Sequence, residues 1–462
     1  MRFYNTLTRR TEEFSPIEAG QVRMYTCGPT VYDFAHIGNF RAYVFEDLLR
    51  RHLRWRGFRV TQVMNLTDVD DKTIRGSLAQ KIPLDEYTGK YKAAFFEDLR
   101  ALNIEPAEFY PEATRHIPEM IALISKLFSN GCAYRSDDGS IYFSIAKFPA
   151  YGRLKNLDMA GMKPGARVAA DEYEKENVAD FALWKAWDEK DGDVAWDSPW
   201  GRGRPGWHIE CSAMSSKYLG ESFDIHTGGI DNIFPHHDNE IAQSEAASGK
   251  QFVRYWLHCA HLVVDGKKMA KSLGNFYTLR DLFNRGFSGR ETRYVLMACH
   301  YRQSLNFTFH ALEGARASLA RIDGFRERLA AMAGQVSGQG LPDWAARARD
   351  RFTAALDDDL NTSEALAALF DMVHDGNKAI DSFADGWSTR AVADLMDDFD
   401  SVLGFLKKAD DQADADVMKV VADREEARRA KNWAEADRLR KRLADLGWEV
   451  KDQPGGPKLR KR

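Results

Sequence analysis

Apolar residues change their period twice within the first seventy positions. From Gln21 to Cys27, Val22, Met24 and Tyr25 stand among polar neighbours, which predicts a short strand ended by the Gly28-Pro29 turn. From Asn39 to Trp55, Phe40, Val44, Leu48, Leu49, His52 and Leu53 recur at helical spacing between arginines. Gly57 stops that helix, and Phe58 to Leu66 predicts a second strand. Strand, helix, strand over so short a stretch is a βαβ unit, so a parallel sheet and an α/β class are expected. His36 and Asn39 then fall at the first turn of the helix, at the C-terminal edge of the sheet, where open α/β sheets take ligands.

Residues from about 70 to 200 interrupt that pattern. They read as an insertion with helical stretches near 85–130 and a strand pattern from Ser140 to Ile145, and the aromatic-rich stretch Phe181 to Trp207 leads back to the sheet. Tyr277 to Phe309 is expected to pack behind the segment that precedes it. Beyond 311, Ala- and Leu-rich helices separated by breakers (Gly334 to Pro342, Gly386) predict a bundle reaching to about 405. Within it, Asn361 or Thr362 caps an amphipathic run. The expected division is therefore 1–70 with 200–265, an insertion at 71–199, a connecting region at 266–310, a bundle at 311–405 and a C-terminal segment at 417–462. No tandem repeat is present.

Composition narrows the class. At 462 residues the chain has room for two to four domains, and no apolar run reaches 18 residues, which excludes a membrane-spanning helix. The net charge of −4 conceals an asymmetry. Residues 424–462 carry 13 Lys/Arg against 7 Asp/Glu, leaving the remainder at about −10. A solvated basic face accounts for such a tail, and so does contact with nucleic acid. The five cysteines are odd in number and include no CxxC pair, which argues for a reduced, cytoplasmic protein.

Two short segments carry the chemistry: His36-Ile37-Gly38-Asn39 and Lys268-Met269-Ala270-Lys271-Ser272. A polyphosphate needs free backbone N–H groups at a helix start and point-like cations that follow the charge as pyrophosphate leaves. The first segment supplies the helix start. Lys268 and Lys271, on a loop between Gly266 and Gly274, supply the cations. Either alone reads as an ordinary turn or a solvated basic loop; in this order they read as two halves of one ATP site. The pair resembles the nucleotide motifs of the class I aminoacyl-tRNA synthetases. It departs where that class usually has histidine (here Asn39) and serine (here Ala270). Asn39 keeps a side-chain donor, and the Ala270 change leaves both lysines.

Cys27 directly precedes the Gly28-Pro29 turn, and Cys211 follows Trp207-His208-Ile209-Glu210. Downstream, Gly228-Gly229-Ile230-Asp231 leads to His236, His237 and Glu240, where His236 and Glu240 would share one face of a helix. Two thiolates, an imidazole and a carboxylate form a plausible zinc set, while Cys132, Cys259 and Cys299 read as small apolar side chains. His237 is a supporting or a surface residue.

Together these segments resemble the cysteinyl-tRNA synthetase family across nearly the whole chain. The resemblance implies a Rossmann-type catalytic domain, an inserted connective region, a helical anticodon-binding bundle and a basic tRNA-contacting end. It implies one zinc ion on Cys27, Cys211, His236 and Glu240 that binds the substrate thiol, and magnesium with ATP. ATP would lie against His36, Gly38, Asn39, Gly228, Gly229, Asp231 and Lys271. Cysteine would lie against Cys27, Gly28, Thr67 and Trp207, although Trp207 and Thr67 also have structural readings. Cysteine would be adenylated and passed to the terminal ribose of tRNA(Cys) by a protein that is monomeric. Zinc separates thiol from hydroxyl where an apolar pocket discriminates by only about 10–200-fold per methylene.

Three other readings compete. A cysteine:amino-sugar ligase of the mycothiol type shares the catalytic core but needs no anticodon domain. An inactive RNA-binding paralogue leaves His36, Lys268 and Lys271 unexplained, and a CTP-using nucleotidyltransferase leaves the metal set unexplained.

Overall fold

The computed structural model describes residues 1–157, 167–168, 180–332, 338, 340–382, 386–407, 415–429, 432–446, 448–453 and 456–461. The breaker at Gly334 to Pro342 lies largely outside these residues, as does Arg462 at the end of the basic tail.

The central sheet is built from β1 (Gln21–Thr26), β2 (Arg59–Met64), β3 (Phe223–Gly229) and β4 (Val253–Cys259). Their order is β4-β3-β1-β2, and every neighbouring pair is parallel. α1 (Ile37–Trp55) connects β1 to β2, and α3 (Asp238–Ser248) connects β3 to β4; α2 (Trp207–Leu219) precedes β3. From β1 the chain winds outward to β2, and from β3 it winds the opposite way to β4. The strand order therefore reverses between β1 and β3, and the carboxyl ends of these two strands flank the crevice where such sheets bind ligands.

Three of the four arginines of α1 are buried rather than solvated. Arg41, Arg50 and Arg51 are each under 10 % exposed. Arg41 donates to the carbonyls of Cys299 (2.9 Å) and His300 (3.0 Å), Arg50 pairs with Glu108 at 2.7 Å, and Arg51 pairs with Asp47 at 2.7 Å. Asp47 also pairs with the fully buried Arg293 at 2.5 Å. A helix buried on nearly all sides holds its N-terminus still, and that end is one wall of the crevice.

The insertion between β2 and β3 begins with helices Asp71–Gln80, Leu84–Ala101 and Ile117–Ser129. It continues into a small sheet in which Ile141–Phe143 pairs antiparallel with Asp180–Ala186, and that strand with Gly203–Pro205. Ile124, Phe143, Phe181 and Trp184 pack in one core with Ile209 and Met214 of α2.

After β4, Leu262–Val264 pairs parallel with Leu305–Phe307 and antiparallel with Lys267–Lys268. Asp265 (φ 49°) and Gly266 (φ 72°) both turn left-handed, the conformation a two-residue hairpin requires. Helices Phe309–Ala331, Asp343–Asp357, Thr362–Asp381 and Thr389–Leu403 follow, with Asn361 the cap of the third. Residues 1–404 form one compact unit and 405–462 another. In the second, helices Ala415–Arg429 and Trp433–Asp445 and the hairpin Trp448–Gln453/Gly456–Lys461 share a core of Val417, Val420, Leu439, Leu443 and Trp448. The stretch from Arg424 to Leu443 is helical in pattern, and it falls in these two helices, the second capped by Asn432. Among the described residues, no helix is long and apolar enough to cross a membrane.

Candidate active site

His36 caps α1. Its Nδ1 accepts the Asn39 backbone N–H at 3.2 Å, while Asn39 Oδ1 accepts the His36 N–H at 3.1 Å. This reciprocal pair satisfies two donors at the helix start. It also assigns the ring proton to Nε2 and turns the Asn39 amide NH2 away from the cap, leaving both groups as donors. Burial is the main cause holding His36 below the usual histidine range, and the charge of Lys271 acts in the same direction. His36 is therefore a neutral donor at neutral pH.

The Lys268–Ser272 segment lies against this helix start. Ile37 N–H donates to the Tyr277 carbonyl at 3.0 Å, the Phe276 ring meets the His36 ring edge-on at 5.0 Å, and a Cβ on Gly38 would lie 3.0 Å from Met269 Cε. Asn275 closes the loop from inside, accepting from Ala270 N–H at 2.8 Å and donating to the Lys268 carbonyl at 3.1 Å. Lys268 and Lys271 are both exposed on the resulting turn.

Gly228 and Gly229 end β3 directly across the crevice, and Asp231 is near enough for its charge to act on His36. On the β1 side, Gly28 N–H donates to Asn65 Oδ1 at 2.9 Å, and any Cβ there would collide with the Asn65 carbonyl oxygen. Only glycine lets the two backbones approach so closely. Thr67 exchanges backbone hydrogen bonds with this turn, through Val31 N–H at 3.0 Å and the Pro29 carbonyl at 3.1 Å. Its hydroxyl donates to Glu210 Oε2 at 3.0 Å, so Thr67 ties β2 to α2 beside the pocket.

Beneath the crevice, ligand atoms of Cys27, His236, His237 and Glu240 all lie within 4.8 Å of one another. Glu240 Oε1 is 3.1 Å from His236 Nε2, and Cys27 Sγ is 3.3 Å from His237 Nε2. Cys211, on α2, lies outside that cluster but close enough for its charge to act on His236 and Glu240. His236 does not occupy a regular helical turn as its spacing to Glu240 predicts. It lies in the irregular turn Ile233–His237, and the pair meets across the start of α3. The Trp207 ring stacks on the His236 ring at 4.4 Å and walls the pocket on that side.

The charges here are frustrated. Burial and the charge on Cys211 push the Glu240 carboxyl well above its ordinary range. Burial, with the neighbouring Cys211, does the same to the Cys27 thiol. Burial opposes ionisation of Cys211 too, yet the neighbouring Cys27 and the His236 charge hold it well below a free thiol. Burial likewise opposes charge on His236, but Glu240 and Cys211 raise it. Soft sulfur donors, an imidazole and a carboxylate packed this tightly fit a divalent zinc ion, which would let both thiols and the carboxylate ionise together.

The spacing of chemistry-bearing residues leaves several contributors unread. His208 Nδ1 meets His236 Nδ1 at 2.8 Å, His226 Nε2 meets Glu240 Oε2 at 2.9 Å, and His258 Nε2 meets His237 Nδ1 at 2.8 Å. His237 is wholly buried rather than a surface group. The available signal is concentration: five of the chain's 12 histidines fall between positions 208 and 258 beside Cys211.

Comparison with known proteins agrees with this geometry. The family model for the catalytic domain of class I (C) tRNA synthetases matches residues 13–317. The DALR domain matches 351–407, and the cysteinyl-tRNA ligase anticodon-binding domain matches 410–460. The chain shares its fold with Mycobacterium tuberculosis methionyl-tRNA synthetase in complex with methionyl-adenylate (TM-score 0.62, 15% identity, covering 83% of this chain and 89% of that one). It also shares it with a leucyl-tRNA synthetase of Agrobacterium radiobacter (TM-score 0.60, 11% identity, 85% and 84% covered). Fold and site thus define a class I aminoacyl-tRNA synthetase.

Among curated relatives, the cysteine–tRNA ligase of Protochlamydia amoebophila is 53% identical over 467 residues, covering 100% of this chain and 98% of that one. That of Brachyspira hyodysenteriae is 50% identical over 472 residues, with 100% and 99% covered. The chain belongs to the cysteine–tRNA ligase family. Its anticodon-binding modules imply tRNA as a partner beside ATP and an amino acid, and the amino-sugar ligase reading has no support.

Proposed function

We propose that this protein activates L-cysteine with ATP and transfers the cysteinyl group to the 3′-terminal ribose of tRNA(Cys). The observation that carries the reading is the joining of two chambers at one strand-order reversal. A sulfur, nitrogen and oxygen cluster lies at the end of β1, which leads to the His36-capped start of α1.

ATP, entering with Mg2+, lies across the His36 end of α1. There His36 Nε2–H and the Asn39 side-chain NH2 receive phosphate oxygens, aided by the positive end of the helix dipole. Gly228 and Gly229 let the adenosine approach the backbone, and Asp231 faces the ribose. Cysteine enters between Trp207 and the Gly28 turn. Cys27, Cys211, His236 and Glu240 would hold zinc, with His237 and the other histidines orienting the ligands. When bound, the zinc supplies a Lewis acid that ionises the substrate thiol but leaves a serine hydroxyl un-ionised. Orientation then aims the cysteine carboxylate at the α-phosphate, and Lys268 and Lys271 stabilise charge on the departing pyrophosphate. The protein would act as a monomer, in the cytoplasm.

The test is transfer of labelled cysteine to total tRNA with ATP, with serine as competitor. Charging by cysteine alone supports the reading. Pyrophosphate exchange with cysteine but no transfer would assign a different acceptor, and absence of both in metal-replete protein would refute the site.

A further inference from the structure

Lys271 stands on a turn with little burial: residues 265–268 and 271–274 are all exposed, and Gly266 and Gly274 flank the loop in left-handed conformations. A segment with so few buried contacts is not held by packing, so individual polar ties set its position. One of those ties is charged. Lys271 Nζ pairs with Asp33 Oδ2 at 2.5 Å, although the lysine side chain is 66% exposed. The lysine lies over the Phe276 ring as well, 5.1 Å from its centroid, and that ring abuts His36.

Asp33 is itself fixed. Its other oxygen accepts the Phe34 backbone N–H at 2.8 Å. The connection carrying it, between β1 and α1, is clamped at Val31 by the Thr67 carbonyl, 3.0 Å away. The carboxylate thus belongs to the rigid side of the crevice, three residues before His36, and the ammonium belongs to the loosely packed side. The hydrogen bond to Asp33 raises the Lys271 pKa, so the lysine keeps its charge throughout the neutral range.

We propose that Asp33 is the positioning residue for Lys271, holding its ammonium above the His36 end of α1, where the pyrophosphate departs. This rests on the reading of Lys271 as a catalytic cation. Asp33 itself touches no reacting atom; it narrows the positions the lysine explores, so its contribution falls on turnover rather than on substrate binding.

The test is a double-mutant cycle on cysteine-dependent pyrophosphate exchange. Asp33→Asn keeps the shape and the hydrogen bond from Phe34 but removes the charge. It is expected to lower kcat by about two- to fivefold, the range a partly exposed ion pair controls, with KM for ATP within about twofold. Added salt should shrink the difference from the parent protein, because screening weakens the pair in the parent as well. Asp33→Glu should recover at least half of the lost rate. In a Lys271→Ala background, Asp33→Asn should have no further effect. An equal loss in both backgrounds, or an unchanged kcat, would overturn the proposal. Lys271→Ala exchanging at the parental rate would instead refute the reading of Lys271, and Asp33 would lose its role with it.

Discussion

His36 and Asn39 close the N-terminus of α1 on each other, each side chain accepting the other's backbone N–H, at 3.2 and 3.1 Å. The asparagine that replaces the histidine usual at this position therefore divides its amide. Its oxygen completes the capping box begun by His36, and its NH2 group takes no part in that box.

Separating those two groups gives the first prediction. Asn39→Ala should lose the acceptor for His36 N–H while His36 still accepts the residue-39 N–H, and cost about 0.5–1.5 kcal/mol of stability, together with part of the exchange rate. Asn39→Asp keeps an acceptor for His36 N–H and should fold as stably as the parent, yet its charge faces phosphate and should raise KM for ATP by about tenfold or more. Denaturant titration and ATP-dependent exchange read the two effects. Parental kinetics in Asn39→Asp would show that this side chain does not face the nucleotide.

Lys271→Ala should lower the rate of cysteine activation by about 100- to 1,000-fold, the loss typical when a donor aimed at developing charge is removed. KM for cysteine should stay within about threefold, because the proposed cysteine pocket at Cys27 and Trp207 does not include Lys271. Losses of equal size in both parameters would show that Lys271 acts in ground-state binding as well.

Metal analysis should find one zinc per chain, and chelation should abolish exchange until zinc is restored. The most compact tetrad includes His237, whereas the sulfur donors and the charge balance favour Cys211. Cys211→Ala and His236→Gln should each lose most of the bound metal, while His237→Gln should retain it with weaker affinity, by about 10- to 100-fold. Full metal retention in Cys211→Ala, with loss in His237→Gln, would transfer the fourth ligand position to His237.

Glu46, on α1, is fully buried, and neither carboxylate oxygen has a hydrogen-bond partner within the described structure. Burial pushes its pKa well above the carboxylate range, with the nearby Thr227 hydroxyl offsetting part of the shift. The folded state therefore keeps Glu46 protonated at pH values where the unfolded chain ionises. Its contribution to stability is fully present below about pH 4.5 and is lost as pH rises through the folded-state value, by up to about 1.4 kcal/mol per pH unit. Glu46→Gln should accordingly be little changed at pH 5 and more stable than the parent at pH 8. Urea midpoints at the two values decide the matter, and an advantage that shrinks with rising pH would contradict it.

Much of the first half of the sheet is legible in the sequence. The period change between Gln21 and Leu66 places β1, α1 and β2 within two residues of their observed ends, because each element is short, local and bounded by Gly28 or Gly57. The same local logic places His36 at a helix start, and Asp265-Gly266 obeys it in forming the hairpin before Lys268. Chemistry-bearing residues such as Cys27, Cys211, His236 and Glu240 are legible as types, since few other combinations bind a soft metal.

Tertiary structure alone decided what brings them together. Strand order sets β1 against β3, although 196 residues separate Thr26 from Phe223, and that contact joins Cys27 to the His236 turn. No periodicity encodes it, because a parallel pairing is closed by burial across the whole sheet and not by neighbours in the chain. The buried arginines of α1 follow the same rule: Arg50 finds Glu108 and Arg41 finds the carbonyls of Cys299 and His300, partners that only the fold brings near. Local periodicity determined the elements and the donor types of this protein. Long-range burial decided which donors share a pocket, because desolvation and charge act through space, without regard to sequence separation.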